Sequence, residues 1–131
     1  MLKEICAYIE EETSLLIDTN LFAGFVPSTV TVDCVIILES GGKPNFYLKD
    51  YQEKTIQVLS RAENYHIAKS NALIVYDLLH GSAGITLPVV GSGKEYYVNT
   101  IEAISAPQSL GQDEKGLFNI STNFVLRIQD K

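Results

Sequence analysis

Between Lys54 and Gly81 the apolar residues change their period once, and that change constrains the fold more than any other feature of the chain. Residues 54–62, KTIQVLSRA, alternate: Ile56 and Val58 face one way, and Gln57, Leu59 and Arg61 the other. This period of two predicts a strand. Asn64 then stands where a helix would begin, since its short side-chain carbonyl can accept from the first free backbone amides. From there Ile67, Ala68, Ala72, Ile74, Val75, Leu78 and Leu79 trace one stripe at helical spacing as far as His80. Gly81 follows as the residue that can turn left-handed and end the helix. A strand running straight into a helix, each with one apolar side, requires a layer of helix on sheet.

The remaining chain extends that layer. Leu2, Ile5, Cys6 and Ile9 recur at helical spacing, with Glu4 and Glu10 to Glu12 mostly elsewhere, and predict an amphipathic helix over 2–13. Its polar side is acidic, so anionic lipid would repel it, and packing on a sheet is the expected use of its apolar side. Residues 14–29 read as an extended lead-in anchored by Phe22 and Phe25. Residues 30–39, VTVDCVIILE, alternate and then become continuously apolar, as in a central strand buried on both faces at one end. The run 40-SGGKPN-45 is a turn, with a short strand from Phe46 to Lys49 after it. Two long strands close the chain, over about 96–105 and 117–129. In the second, Phe118, Ile120, Phe124, Leu126 and Ile128 share one face with a single polar member, Thr122. The expected fold class is α+β: a mostly antiparallel sheet flanked by two helices, in the order helix, two to three strands, helix, two or more strands.

A chain of 131 residues fits a single domain, 1–131, that buries a core without disulfides or metal. The net charge is −6, and the ten Lys and Arg are scattered. Duplex binding draws on several phosphate contacts from one basic face, so specific nucleic-acid binding is not expected. Six tyrosines at 47, 51, 65, 76, 96 and 97 could offer a stacking surface for bases, but without interleaved Arg and Lys they read as core edges or protein contacts. The apolar runs are too short to span a bilayer, and the N-terminal stretch lacks the uninterrupted apolar core of a signal peptide. A reducing cytoplasm is the expected setting, with Cys6 and Cys34 as small buried hydrophobes.

The chemical motifs are weak. Gly91-Ser-Gly-Lys94 lacks both the glycine five positions before Gly93 and the hydroxyl residue after the lysine that a phosphate loop needs: Pro88 and Glu95 stand there. It reads as a turn. His66 and His80 are too far apart to share a metal on one helix, and no other ligand completes either; His80 reads as the residue closing the helix. Asp33 is placed on the solvent side at the start of its strand. No nucleophile–base pair stands out, so no catalytic residue, metal or cofactor is expected.

The stretch 105-SAPQSLGQDEKGLFNIS-121 remains unexplained by these classes. On the strand boundaries above it is a connection of about eleven residues, whereas hairpin loops usually take about two to five. Pro107, Gly111 and Gly116 shape its backbone, and Leu110 is a lone apolar residue among polar ones. A recognition loop has this composition, with Leu110 as an anchor and Gln112, Asp113 and Lys115 as a hydrogen-bonding rim.

The run 56-IQVLSRAENYHIAKSNALIVYDLLHG-81 resembles the bacteriophage minor capsid or tail terminator family. In that family a strand ending in Gln-Val-x-x-Arg leads to a Tyr that opens a helix with spaced alanines, and then to a Tyr-Asp-x-Leu-His-Gly-like exit. The matching positions are Gln57, Val58, Arg61, Tyr65, Ala68, Ala72, Tyr76, Leu79 and Gly81. The run 106-APQSLGQDEKGLFNISTNFVLRI-128 is similar too, with Pro and Gly before an acidic loop and then an Asn-Phe strand. Gly24, Pro27 and 41-GG-42 fall where the family has a Gly–Pro lead-in and a Gly-Gly turn. The likeness starts near residue 20, and residues 82–95 carry none of it. It implies a non-catalytic virion protein without cofactors that forms a six-membered ring at the tail–neck junction. Such a ring caps the tail tube and stops its polymerisation. It meets the tail tube protein and the head-completion proteins, and double-stranded DNA passes through its opening without specific binding. Assembly takes place in the bacterial host cytoplasm, with no membrane involved. Another neck protein, such as a head-completion or stopper protein, and a small-molecule-binding α+β domain are the alternatives.

Overall fold

A computed structural model describes residues 1–25, 33–41 and 51–130, with only the backbone of Tyr51 and Asp130. Pro27, the first part of the expected strand 30–39, most of the turn 40–45 and the expected strand 46–49 lie outside the described residues.

Among the described residues two helices and seven strands follow in the order α1 (Leu2–Glu12), β1 (Leu21–Ala23), β2 (Cys34–Gly41), β3 (Tyr51–Ala62), α2 (Tyr65–Leu79), β4 (Ala83–Thr86), β5 (Tyr96–Ala103), β6 (Gln108–Gln112) and β7 (Phe118–Asp130). The α+β expectation holds. One sheet runs β1-β2-β3-β7-β5-β4, with β6 on β7 as well, and among the described strands only β1 with β2 is parallel. Its spine is β3 against β7, in register from Tyr51↔Gln129 to Ala62↔Phe118. Two strands share the far edge of β7. β5 takes Phe124 to Asp130, and β6 takes Phe118 to Ser121.

The period of two in β3 and β7 puts one side chain set on the helix side. There Ile56, Val58, Ile120, Phe124, Leu126 and Ile128 are all buried. Thr122 is buried among them, and its Oγ1 has no hydrogen-bond partner among the described residues. Both helices cover this face. α1 contributes Ile5, Cys6 and Ile9, and α2 contributes Val75 and Leu79 to the same cluster. A smaller cluster of Phe22, Cys34 and Ile36 is buried on the other face.

Helix α2 begins and ends as its sequence predicts. The Asn64 side-chain oxygen accepts from the His66 amide at 2.8 Å, and Gly81 follows the cap residue His80 with φ +80°. Its buried line is Ala68, Ala72, Val75 and Leu79. Ile67 and Ile74, expected in the buried stripe, are 44% and 36% exposed. The cause is the small footprint of the alanines. Ala68 and Ala72 let the helix backbone settle on Ala62 and Ile120, and Ser60 Oγ donates to the Ala68 carbonyl at 2.8 Å in the buried seam. A helix seated so closely on a line of small residues leaves their immediate neighbours at its margin, and Leu78 is half-buried there. His80 also closes the helix against the sheet: its Nδ1 accepts from the Ala103 amide at 3.1 Å.

Strands β1, β4 and β6 were not expected as strands. β6 corrects the reading of 106–116 as one long loop: five of those residues form a hairpin arm with β7, and the connection from β6 to β7 is only 113–117.

Candidate functional site

The β6–β7 hairpin is held by one carboxylate. Asp113 Oδ2 accepts from Arg61 Nη2 at 2.6 Å and from Asn119 Nδ2 at 3.3 Å. Its Oδ1 accepts the amides of Lys115 at 2.9 Å and Leu117 at 3.1 Å. The backbone closes the same turn, with the Asp113 amide donating to the Leu117 carbonyl and the Gly116 amide to the Asp113 carbonyl. A carboxylate with four donors around it favours its charged form. The Arg61 guanidinium first, and then the Leu117 amide, hold the Asp113 carboxyl well below the usual carboxylate range.

Because the folded carboxyl titrates below the unfolded one, its contribution is complete above the ordinary Asp pKa of about 4 and is lost as pH falls further. Asp113→Asn keeps an acceptor oxygen but removes the charge. Thermal midpoints of both proteins from pH 7 down to pH 2.5 should differ by a constant amount above about pH 5 and converge below about pH 4. A difference that stays the same at every pH would rule out this role for the charge.

The other residues singled out from the sequence fall into two groups. Gln112 Nε2 donates to the Gly116 carbonyl at 3.2 Å, and Pro107 is half-buried at the start of β6. The register slips between Ser109 and Gly111, and Gly111 has φ +85°. Such a bulge re-aims the side chain beside it. That side chain is Leu110, which stands 58% exposed, and Lys115 is exposed at the turn. The family-motif residues instead support the frame. Gln57 Nε2 donates to Ser121 Oγ at 2.9 Å across β3 and β7. Tyr65 meets Phe118 edge to face at 5.8 Å, and Tyr76 stacks on His80 at 5.2 Å. The Gly81 amide donates to the Ile101 carbonyl. Arg61 alone belongs to both groups, since it reaches from the end of β3 to the hairpin.

A second feature lies at the opposite edge of the sheet and was not found from the sequence. A cavity of about 350 Å³ beside β1 is walled by Cys6, Ile17, Phe22, Phe25 and Val90, with Lys3 and Asp18 also lining it. Phe25 is 71% exposed. The Cys6 thiol is no nucleophile there: burial, aided by Glu10, pushes its pKa up to about 12. Burial likewise raises Cys34, against a partial pull downward from Arg61. No three His, Cys, Asp or Glu among the described residues come together to hold a metal. No helix among them is long and apolar enough to cross a membrane.

An exposed hairpin braced by an ion pair and an apolar recess on the other edge are surfaces suited to assembly. A search of curated proteins finds no match. Among solved structures, the fold is similar to a chain in the virion of a native gene transfer agent particle. The two share 17% identity over 85% of this chain and 79% of that one, with a TM-score of 0.56. The sequence profile described as bacteriophage tail terminator protein matches residues 8–130, almost the whole length. The chain belongs to the bacteriophage tail terminator family, a family of phage tail structural proteins.

Proposed function

We propose that this chain, acting as one unit over 1–131, forms a closed six-membered ring on the end of the finished tail tube. There it stops polymerisation and offers the surface on which the head-completion proteins join. The family match over residues 8–130 carries this reading. Each contact in a cyclic ring is heterologous, so every subunit needs two different patches. The hairpin residues Pro107, Leu110, Gly111, Gln112 and Lys115 supply one of them, while Asp113 is the internal brace that gives the hairpin its shape. DNA passes through the opening without being gripped, as suits a chain of net charge −6 with scattered lysines. The protein works in the virion at the tail–neck junction after assembly in the host cytoplasm. It has no catalytic step, cofactor or membrane contact.

Electron microscopy of tails from a phage lacking this gene, with and without the purified protein, tests the proposal. Added protein should give tails of one length, each ending in a ring. Tails that stay over-long and uncapped would refute it, and binding to filled heads alone would make the chain a head-completion protein instead.

A further inference from the structure

The register of the sheet places the hairpin and the apolar cavity at two ends of one row. Leu21 of β1 lies opposite Val35, Val35 opposite Ser60, Ser60 opposite Ile120, and Ile120 opposite Ser109 of β6. Along this row the order is β1-β2-β3-β7-β6, so β1 and β6 are the two outer strands, four spacings or roughly 19 Å apart. What they present is different. β6 presents Leu110, thrust out at its bulge. β1 has its backbone edge partly closed by the turn before it, where the Leu21 amide donates to the Leu16 carbonyl and the Asp18 amide to the Leu21 carbonyl. It presents the cavity instead.

We infer that in the ring the Leu110 side chain of one copy seats in the β1-side cavity of the next. The inference rests on the ring reading above and adds the acceptor for the hairpin. An apolar cavity of about 150 Å³ already takes a benzene-sized guest, so about 350 Å³ has room for a leucine. The charges match as well. Lys3 and Asp18, both exposed, border the cavity, and Glu114 and Lys115, both exposed, follow the β6 arm that carries Leu110. Among the described residues none of these four forms an ion pair within the subunit. Glu114 therefore pairs with Lys3 of the next copy, and Lys115 with its Asp18. Asp18 is also the one non-glycine described residue with positive φ, +66°. Of the exposed apolar residues, Leu73 on α2 serves as the comparison, because it belongs to neither end of this row.

The test places a photo-crosslinking amino acid at position 110 of the full chain. Isotopically heavy and light forms are mixed, added to uncapped tails of the phage, and illuminated. Heavy–light crosslinks should fall on peptides from residues 3–25 or on the one that carries Val90, and the same probe at position 73 should not reach them. In parallel, Leu110→Asp should lower the ring fraction in native mass spectra and on tails about tenfold or more, as loss of an interface anchor does, while Leu110→Met keeps it. Circular dichroism checks that both variants fold, which an exposed site permits. Reversing Glu114→Lys should weaken the ring, and adding Lys3→Glu should restore it. Rings whose heavy–light crosslinks fall outside both residues 3–25 and the peptide that carries Val90 would overturn the docking and leave the ring standing. A chain that forms no multimer alone or on tails would overturn both.

Discussion

Phe124→Ala is expected to cost about 3–5 kcal/mol of folding stability, the largest loss for any single side chain in this protein. Phe124 is fully buried on the central strand β7, between Ile56 of β3 and Ala103 of β5, with the Tyr76 ring of α2 6.5 Å away. Strands on both sides and a helix above leave no direction in which the site can collapse, so truncation loses the transfer energy and keeps most of the cavity. Urea denaturation should show a lower midpoint. Ile74→Ala, at the margin of α2, should cost less than half as much. If the two variants lost equal stability, α2 would be seated on a different face from the one described. The contrast matters because both residues are large and apolar, and only the seating of α2 on Ala68 and Ala72 tells them apart.

The same seating shows what the sequence could and could not tell. The strand–helix unit from Lys54 to Gly81 was legible because three local signals agree: alternation, an Asn64 cap, and a left-handed Gly81. The long β7 was legible from its alternation alone. The strands that were missed, β1, β4 and β6, are short and lie at edges. An edge strand has one neighbour, so burial imposes less on its sequence. All five residues of β6, QSLGQ, are exposed, and nothing in such a segment alternates. It is a strand because β5 leaves β7 at Phe124 and the vacated edge from Phe118 to Ser121 needs a partner. That need is non-local and has no local signature. The brace is hidden for the same reason. Arg61 and Asp113 are 52 positions apart, and the sequence places Arg61 at a motif position and Asp113 in the rim of a recognition loop, with nothing to join them. Lys3, Cys6, Ile17, Phe22 and Phe25 could not be grouped until α1, the turn before β1 and β1 itself were laid side by side. Candidate contact residues were thus named on the hairpin, and the recess at the other edge went unseen.

Replacing residues 109–115 with a short Gly-Ser linker is expected to abolish tail capping while leaving the subunit folded. The structure adds one requirement to this experiment. Removing Asp113 strands the Arg61 guanidinium, whose side chain is only 21% exposed, and an unpaired, partly desolvated charge would cost stability for a reason unrelated to assembly. The variant therefore carries Arg61→Gln, and Arg61→Gln alone is the control. With the charge gone, little else should be lost. The exposed β6 contributes almost no apolar burial, and a change of loop length alone is cheap. Circular dichroism and the urea midpoint should stay close to those of the control. Tail length and infectivity should not: tails assembled with the shortened chain should run on past their normal length, and infectious particles should fall to the level of a phage lacking the gene. The control should support normal tails, though with a hairpin less firmly held. Should the shortened protein still yield tails of normal length and full infectivity, 106–116 is a connection that happens to pair with β7, and the proposed ring would have to close through other surfaces. A failure to fold would instead mean that β6 protects the edge of β7 from Phe118 to Ser121, and point variants at Leu110, which leave the backbone pairing intact, would then decide the role of the hairpin.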